Sequence, residues 1–267
     1  MRYTSLHTHS TFSDGKSTME EQVLSAIEKG FASVGFSDHS YTKFDLSYCM
    51  KLEQVPAYRQ TILDLAEKYA DRLEVLMGLE LDGYSDIPEE KYDYLIGSLH
   101  YIRTDDGLYH PVDSNPEGMV RMTETYFGGD YNAMAIRYLQ DSVKCIYDHR
   151  PDFVGHFDLA VKYNFVNEED PAYQKVLLES AAAVLEVCPI FEINTGAIAR
   201  GYRKNPYPAD IAMRYIHEHG GKFVLNSDCH DARYLDCHYA KSVELAKSCG
   251  VKSLVRLTKN GWIEEGI

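Results

Sequence analysis

The chain has 267 residues, 45% of them hydrophobic and 25% charged, enough to bury a sizeable core without disulfides or an obligatory partner. With 27 Lys+Arg against 41 Asp+Glu, the formal net charge is −14. That charge repels nucleic acid and anionic membranes, but it leaves room for a small phosphorylated substrate held by a few local cations. No stretch approaches the roughly 20 apolar residues of a membrane span, and the N-terminal segment lacks the apolar run of a signal peptide. A soluble, cytoplasmic protein with no nucleic-acid or membrane partner is therefore expected. Cys49, Cys145, Cys188, Cys229, Cys237 and Cys249 follow no C-x-x-C spacing, as expected of reduced, buried thiols.

In chain order, Tyr3 to Leu6 reads as a strand ending at His7 and His9. Ser17 with Glu20 predicts a capping box, Met19, Val23, Leu24 and Ile27 one helical face, and Gly30 the stop. Ser33 to Phe36 is a second strand ending at Asp38-His39, followed by a helix over Pro56 to Tyr69. Glu74 to Leu79 ends at Glu80, Tyr94 to Ser98 at His100, and Asp152 to Gly155 at His156. Ile190 to Ile193 ends at Asn194, and Lys222 to Leu225 at Asn226, Asp228 and His230. Helices fill 132–148, 171–185, 208–219 and 237–249, and a last apolar run, Ser253 to Leu257, closes the fold.

This alternation predicts βα units on a parallel sheet, and no Pro/Gly/Ser-rich linker divides it, so one domain over 1–267 is expected. In a parallel α/β barrel the strands run the same way, so residues at their C-terminal ends converge on one face.

The polar residues at and just after those ends are His7, His9, Asp14, His39, Glu80, His100, His156, Asp228 and His230. Imidazole mixed with carboxylate suits divalent transition ions such as Zn, Mn, Fe or Co, whereas a Ca or Mg cage is almost all oxygen. Nine ligands exceed what one ion accepts and suit two or three ions sharing a bridging carboxylate. Alternate residues of an extended segment point the same way, so His7 and His9 reach one ion, Asp228 and His230 repeat the geometry, and Cys229 points away. Each piece alone is a turn or an exposed strand end; their coincidence at successive strand ends is what points to a metal centre. His149, His217 and His219 sit where helices end and read instead as cations at the helix dipole, and His110 as a loop residue.

The series His7-Thr8-His9 with Asp14-Gly15, Ser37-Asp38-His39, Gly78-Leu79-Glu80, Gly97-Ser98-Leu99-His100, Gly155-His156-Phe157-Asp158 and Ser227-Asp228-Cys229-His230 resembles the PHP (polymerase and histidinol phosphatase) family over nearly the whole chain. Within it, Glu192-Ile193-Asn194-Thr195-Gly196, Arg200 and Tyr207-Pro208 are similar to the histidinol-phosphatase branch. The resemblance implies an α/β fold, a distorted (β/α)7 TIM-like barrel with its metal site at the C-terminal ends of the strands. It implies three divalent ions (Zn, Mn or Fe): His7, His9, Glu80 and Asp228 on one, Glu80, His100 and His156 on a second, and Asp14, His39 and His230 on a third. Asp14 departs from relatives that carry His at the comparable place. The implied activity is hydrolysis of L-histidinol phosphate, with Glu80, Asp228 and His230 as the catalytic set; the alternative is another small phosphate ester such as a nucleotide, a sugar phosphate or phosphotyrosine.

Among the cations, Arg200 just after the sixth strand is the expected phosphate contact, because guanidinium meets phosphate in a fork. Arg203 and Lys204 share its loop, and Asn194 is expected to orient substrate. The polar segment 103–131 is long enough to read as a lid insertion. Its acids Asp113, Glu117 and Glu124 are candidates to meet an amine, and its Tyr109 and Tyr126 candidates to stack an imidazole. A metal-dependent amidohydrolase also starts with H-x-H on a barrel strand, but Asp38-His39 and a bridging Glu80 fit it poorly. A non-catalytic metal-binding module would usually have gaps in the ligand set.

Overall fold

The computed structural model describes residues 2–267; Met1, the first residue of the expected domain span, lies outside them. The elements follow in chain order: β1 (Thr4–Ser5), α1 (Met19–Glu28), β2 (Ser33–Phe36), α2 (Val55–Lys68), β3 (Glu74–Asp82), β4 (Tyr94–Ser98), β5 (Tyr101–Arg103) and β6 (Tyr109–Pro111). Then come α3 (Pro116–Phe127), α4 (Tyr131–His149), β7 (Phe153–Val154), α5 (Pro171–Leu185), β8 (Ile190–Asn194), α6 (Gly196–Ala199), α7 (Asp210–Glu218), β9 (Lys222–Asn226), α8 (Tyr239–Ser248), β10 (Ser253–Thr258) and β11 (Gly261–Gly266).

Seven parallel strands form one sheet in the order β1-β2-β3-β4-β7-β8-β9. Beyond the strand ends β1 and β9 meet: Thr8 bridges Cys229, with His9 N donating to Cys229 O at 2.8 Å and Cys229 N to His7 O at 3.1 Å. The result is the nearly closed (β/α)7 barrel the resemblance implied. No described helix is long and apolar enough to cross a membrane.

Strand alternation puts Leu76, Gly78, Glu80 and Asp82 on one face of β3, and the same period sorts the other strands. At the lower end of the barrel Leu6, Leu76, Tyr94, Ile96, Phe153, Ile190 and Val224 pack together with Val255, Leu257 and Trp262 from the antiparallel hairpin β10–β11. That hairpin floors the barrel, so the last apolar run belongs to a separate two-stranded sheet and β11 is an element the periodicity did not announce. Tyr94 fills the interior because residues 35 and 78 are glycine. A Cβ at either would come within 2.2 Å of the Tyr94 side chain, and the phenol instead donates to Leu6 O at 2.5 Å.

Several boundaries move from their expected places. The N-cap of α1 is Thr18, not Ser17: Glu21 N donates to Thr18 Oγ1 at 3.3 Å and Thr18 N to Glu21 Oε2 at 2.7 Å. Ser17 Oγ is already taken by Ala232 N at 3.1 Å, and Glu20 pairs with Lys68 and Tyr69. The buried face of α1 uses Gln22 and Ala26 with Met19 and Val23, while Leu24 is exposed. β3 continues two residues past Glu80, paired with β4 as far as Asp82↔Ser98. Segment 103–131 is ordered as the β5–β6 hairpin and α3, which places His110 on a strand rather than in a loop. His149 and His217 lie in last turns and His219 is the C-cap of α7, the helix ends where the sequence put them, but burial lowers the pKa of His149 and so disfavours the cation expected there.

Candidate metal centre

All nine predicted ligands come together at the C-terminal ends of the strands. Glu80 is their hub and is fully buried. Its Oε1 faces His156 Nε2 at 2.9 Å, His7 Nε2 at 3.2 Å and His100 Nε2 at 3.5 Å; its Oε2 faces His39 Nδ1 at 2.8 Å and His9 Nε2 at 3.5 Å. Asp228 Oδ1 lies 3.4 Å from His9 Nε2 and 3.8 Å from His7 Nε2. Asp14 Oδ1 lies 3.3 Å from His230 Nε2, 3.6 Å from His39 Nε2 and 3.9 Å from His9 Nδ1. Donor atoms converge in four overlapping groups: His9, Asp14, His39 and His230; His7, Glu80 and His156; His7, His9 and Asp228; and His39, Glu80 and His100. The shared members are what a multinuclear site requires, although His9 and His39 are shared more widely than the sequence division into three sets expected.

The donors fit divalent ions by their chemistry. His7 Nε2, both ring nitrogens of His9, His39 Nδ1 and Glu80 Oε2 are buried with no hydrogen-bond partner among the described residues. A buried polar atom left unpaired costs roughly 1–3 kcal/mol, so a cluster of them within ligand distance is explained by cations. The electrostatics agree. Burial alone lowers His7, but Glu192, Glu80 and Asp228 together raise it well above the usual imidazole range. A field that favours an extra proton there equally favours a metal cation. Burial, with two further imidazoles packed beside it, lowers His9 to about 3, so it is a neutral imidazole with a free lone pair. Burial raises and the surrounding His7, His39 and His100 lower Glu80, which stays ionised.

Access is from one side. His7, His9 and Glu80 side chains are 0% exposed, whereas His230 is 22%, Arg200 31% and Asp14 36% exposed. Arg200 follows the short helix α6; its Nη2 donates to Asp228 Oδ2 at 2.8 Å, and its Nη1 lies 3.2 Å from His230 Nδ1. A Cβ on Gly196 would lie 2.8 Å from both that Nη2 and Asp228 Oδ2 and 2.9 Å from Asp228 Cβ, so a side chain there would push the pair out of its present place. The neighbouring Arg203 is committed to Glu168 at 2.7 and 3.0 Å.

Asn194, expected to orient substrate, is engaged within the protein. It is fully buried, its Nδ2 donates to Glu192 Oε2 at 2.8 Å, and its Oδ1 accepts from Gly196 N at 2.8 Å. Cys229 turns away, its thiol donating to Asp231 O at 3.0 Å. Sequence reasoning passed over the carboxylates behind the ligands. Asp82 Oδ2 accepts from His100 Nδ1 at 3.0 Å, Asp38 accepts from Ser10 and Ser13 in the loop that carries Asp14, and Glu192 accepts from His7 Nδ1 at 2.8 Å. The signal available for Asp82 and Glu192 was a carboxylate within an otherwise apolar strand, which must find donors. In segment 103–131, Asp113 is held by Lys162 Nζ at 3.1 Å; burial raises its pKa, but the Lys162 ammonium, with His100 nearby, holds it below the usual carboxylate range. Tyr109 stacks on Phe44 at 3.8 Å, and Tyr126 donates to Asp106 at 3.0 Å. Glu117 sits in the first turn of α3, and Glu124 is exposed on it.

Residues 5–196 match the PHP domain. A protein of Deinococcus radiodurans named "Probable histidinol-phosphatase" is 29% identical over 253 residues, covering 89% of this chain and 89% of its own length. One of the same name from Schizosaccharomyces pombe is 25% identical over 288 residues, covering 96% of this chain and 89% of its own. Among solved structures, histidinol phosphate phosphatase from Lactococcus lactis subsp. lactis, complexed with zinc, L-histidinol and phosphate, has a TM-score of 0.78 at 21% identity over 98% of this chain and 99% of that one. At that identity the likeness is one of fold.

Proposed function

The chain belongs to the PHP domain family, and from that membership and its donor cluster we propose that it is a metal-dependent phosphomonoesterase hydrolysing L-histidinol phosphate to L-histidinol and phosphate, a step of histidine biosynthesis in the cytoplasm. The observation that carries this reading is Glu80, one buried carboxylate facing five imidazoles at 2.8–3.5 Å. Two relatives named "Probable histidinol-phosphatase", each matched over 89% of its own length, support the substrate.

In this reading His7, His9, Glu80 and Asp228 hold one divalent ion, Glu80, His100 and His156 a second, and Asp14, His39 and His230 a third, with Zn, Mn or Fe as ions suited to imidazole and carboxylate. Bound there, the ions would supply Lewis-acid charge to the phosphoryl oxygens and lower the pKa of a water. Glu80, Asp228 and His230, which would touch the ions, are the catalytic set. Arg200 receives the phosphoryl group: its guanidinium stands at the open side of the cluster and can trade its Asp228 partner for a phosphate oxygen. The hairpin β5–β6 and α3 act as the cover over the organic part of the substrate within a single domain, with Asp113 facing its ammonium. Burial of the deepest donors keeps bulk water from all but the open side, which strengthens each charge interaction there.

Metal dependence tests this directly. Stripped with a chelator and then reconstituted with Zn, Mn, Fe or Co, the protein is expected to regain phosphate release from L-histidinol phosphate. Release that persists undiminished in the stripped protein would overturn the reading.

A further inference from the structure

Glu192 on β8 is a carboxylate outside the ligand set, 1% exposed, with both oxygens saturated. Oε1 accepts from His7 Nδ1 at 2.8 Å and Asn226 Nδ2 at 2.9 Å; Oε2 accepts from the His156 backbone N at 2.9 Å and Asn194 Nδ2 at 2.8 Å. Both amides are anchored in turn, Asn226 Oδ1 by Leu6 N at 2.7 Å and Asn194 Oδ1 by Gly196 N at 2.8 Å. One buried carboxylate thus ties the chain after β1 and β7 to β8 and β9. A charge so deeply buried persists only where its hydrogen bonds offset its desolvation.

We infer that Glu192 is a positioning residue that fixes His7 as the Nδ1–H tautomer, so that Nε2, 3.2 Å from Glu80 Oε1, presents its lone pair to the donor cluster. The inference rests on the reading of that cluster as a metal centre. A carboxylate only accepts, so the proton of the His7–Glu192 bond belongs to Nδ1 and the other nitrogen is left free to ligate.

Counting donors shows why a carboxylate is needed. Four N–H groups face residue 192, and a neutral amide there offers one accepting oxygen and one NH2 group. If the NH2 faces His7, the imidazole must accept through Nδ1, its proton moves to Nε2, and the ligating lone pair is lost. If it faces the other way, His7 keeps its bond while the buried N–H of His156 loses its acceptor. Either arrangement disturbs ions held through His7 or His156. The group formed by Asp14, His39 and His230 does not touch Glu192.

The test is zinc binding to the apo protein, titrated against a competing chelator, for wild type, Glu192→Gln and Glu192→Asp, with thermal melting of each and 15N shifts of the His7 ring in the zinc-loaded wild type. Glu192→Gln is expected to melt cooperatively and to bind zinc about 10–100-fold more weakly at the affected positions, the usual loss when an outer hydrogen-bond partner of a ligand is removed. Glu192→Asp recovers part of that affinity, and wild-type His7 is protonated at Nδ1 and not at Nε2. Equal zinc affinity in folded Glu192→Gln, or an Nε2–H tautomer of His7 in the zinc-loaded wild type, overturns the inference. Should Glu192→Gln fail to fold, the wild-type ring shifts decide. A wild type that binds no zinc, manganese or iron overturns the metal-centre reading itself, a separate and recognisable failure.

Discussion

Replacing Arg200 with alanine removes the cation at the open side of the donor cluster. In the structure its guanidinium holds Asp228 Oδ2 at 2.8 Å and reaches toward Asp228 O at 3.3 Å, with the side chain 31% exposed. An arriving phosphoryl group exchanges for Asp228, so the net gain is a charge-assisted hydrogen bond less the pairing given up. The first contributes about 1.5–3 kcal/mol and a partly exposed ion pair returns up to about 1 kcal/mol. A net near 1–2 kcal/mol lowers kcat/KM by about 5- to 30-fold, mostly through KM. Arg200→Lys keeps the charge and loses the fork, so it should fall between the two. Steady-state kinetics on L-histidinol phosphate, with bound metal measured by mass spectrometry, reads both quantities. Unchanged kcat/KM in the folded variant would refute the phosphoryl contact; loss of metal in step with loss of turnover would show that Arg200 acts only through Asp228.

The same reasoning reaches other positions. Glu80→Ala should abolish turnover and lower bound metal, because both oxygens of one carboxylate serve five imidazoles; full activity in that variant would sink the bridging role. Gly78→Ala puts a Cβ 2.1 Å from the Tyr94 ring, and the overpacking should cost about 1–3 kcal/mol in denaturant unfolding; a smaller residue at 94 in the same chain should relieve part of it. Thr18→Ala removes the N-cap of α1 and should cost about 1 kcal/mol, measured the same way.

The repeated βα pattern made the barrel legible, because apolar runs of strand length recur with a polar residue where each stops, and parallel topology sends those stops to one face. His7, His9, Asp14, His39, Glu80, His100, His156, Asp228 and His230 could be collected on that rule alone, since ligand type is written in the residue. Glu192, Asp82 and Asp38 could not, because an outer carboxylate acquires its meaning from partners such as His7, 185 residues away. The cap of α1 moved by one residue for the same reason: Ser17 is held by Ala232, 215 residues distant. Asn194 carries a side chain that sequence alone reads as substrate-facing, yet the neighbouring Glu192 claims it. The β10–β11 hairpin was half visible, as an apolar run whose partner strand, from Gly261 to Gly266, is half-buried or exposed and lacks an apolar signature.

Substrate preference tests the proposed activity most directly. Phosphate release by the metal-reconstituted protein should be measured on L-histidinol phosphate beside nucleotides, sugar phosphates and phosphotyrosine. A preference of about a hundredfold in kcat/KM for L-histidinol phosphate is expected, corresponding to about 2.7 kcal/mol of differential transition-state stabilisation. Flat, weak release across the panel, with metals bound, would contradict it.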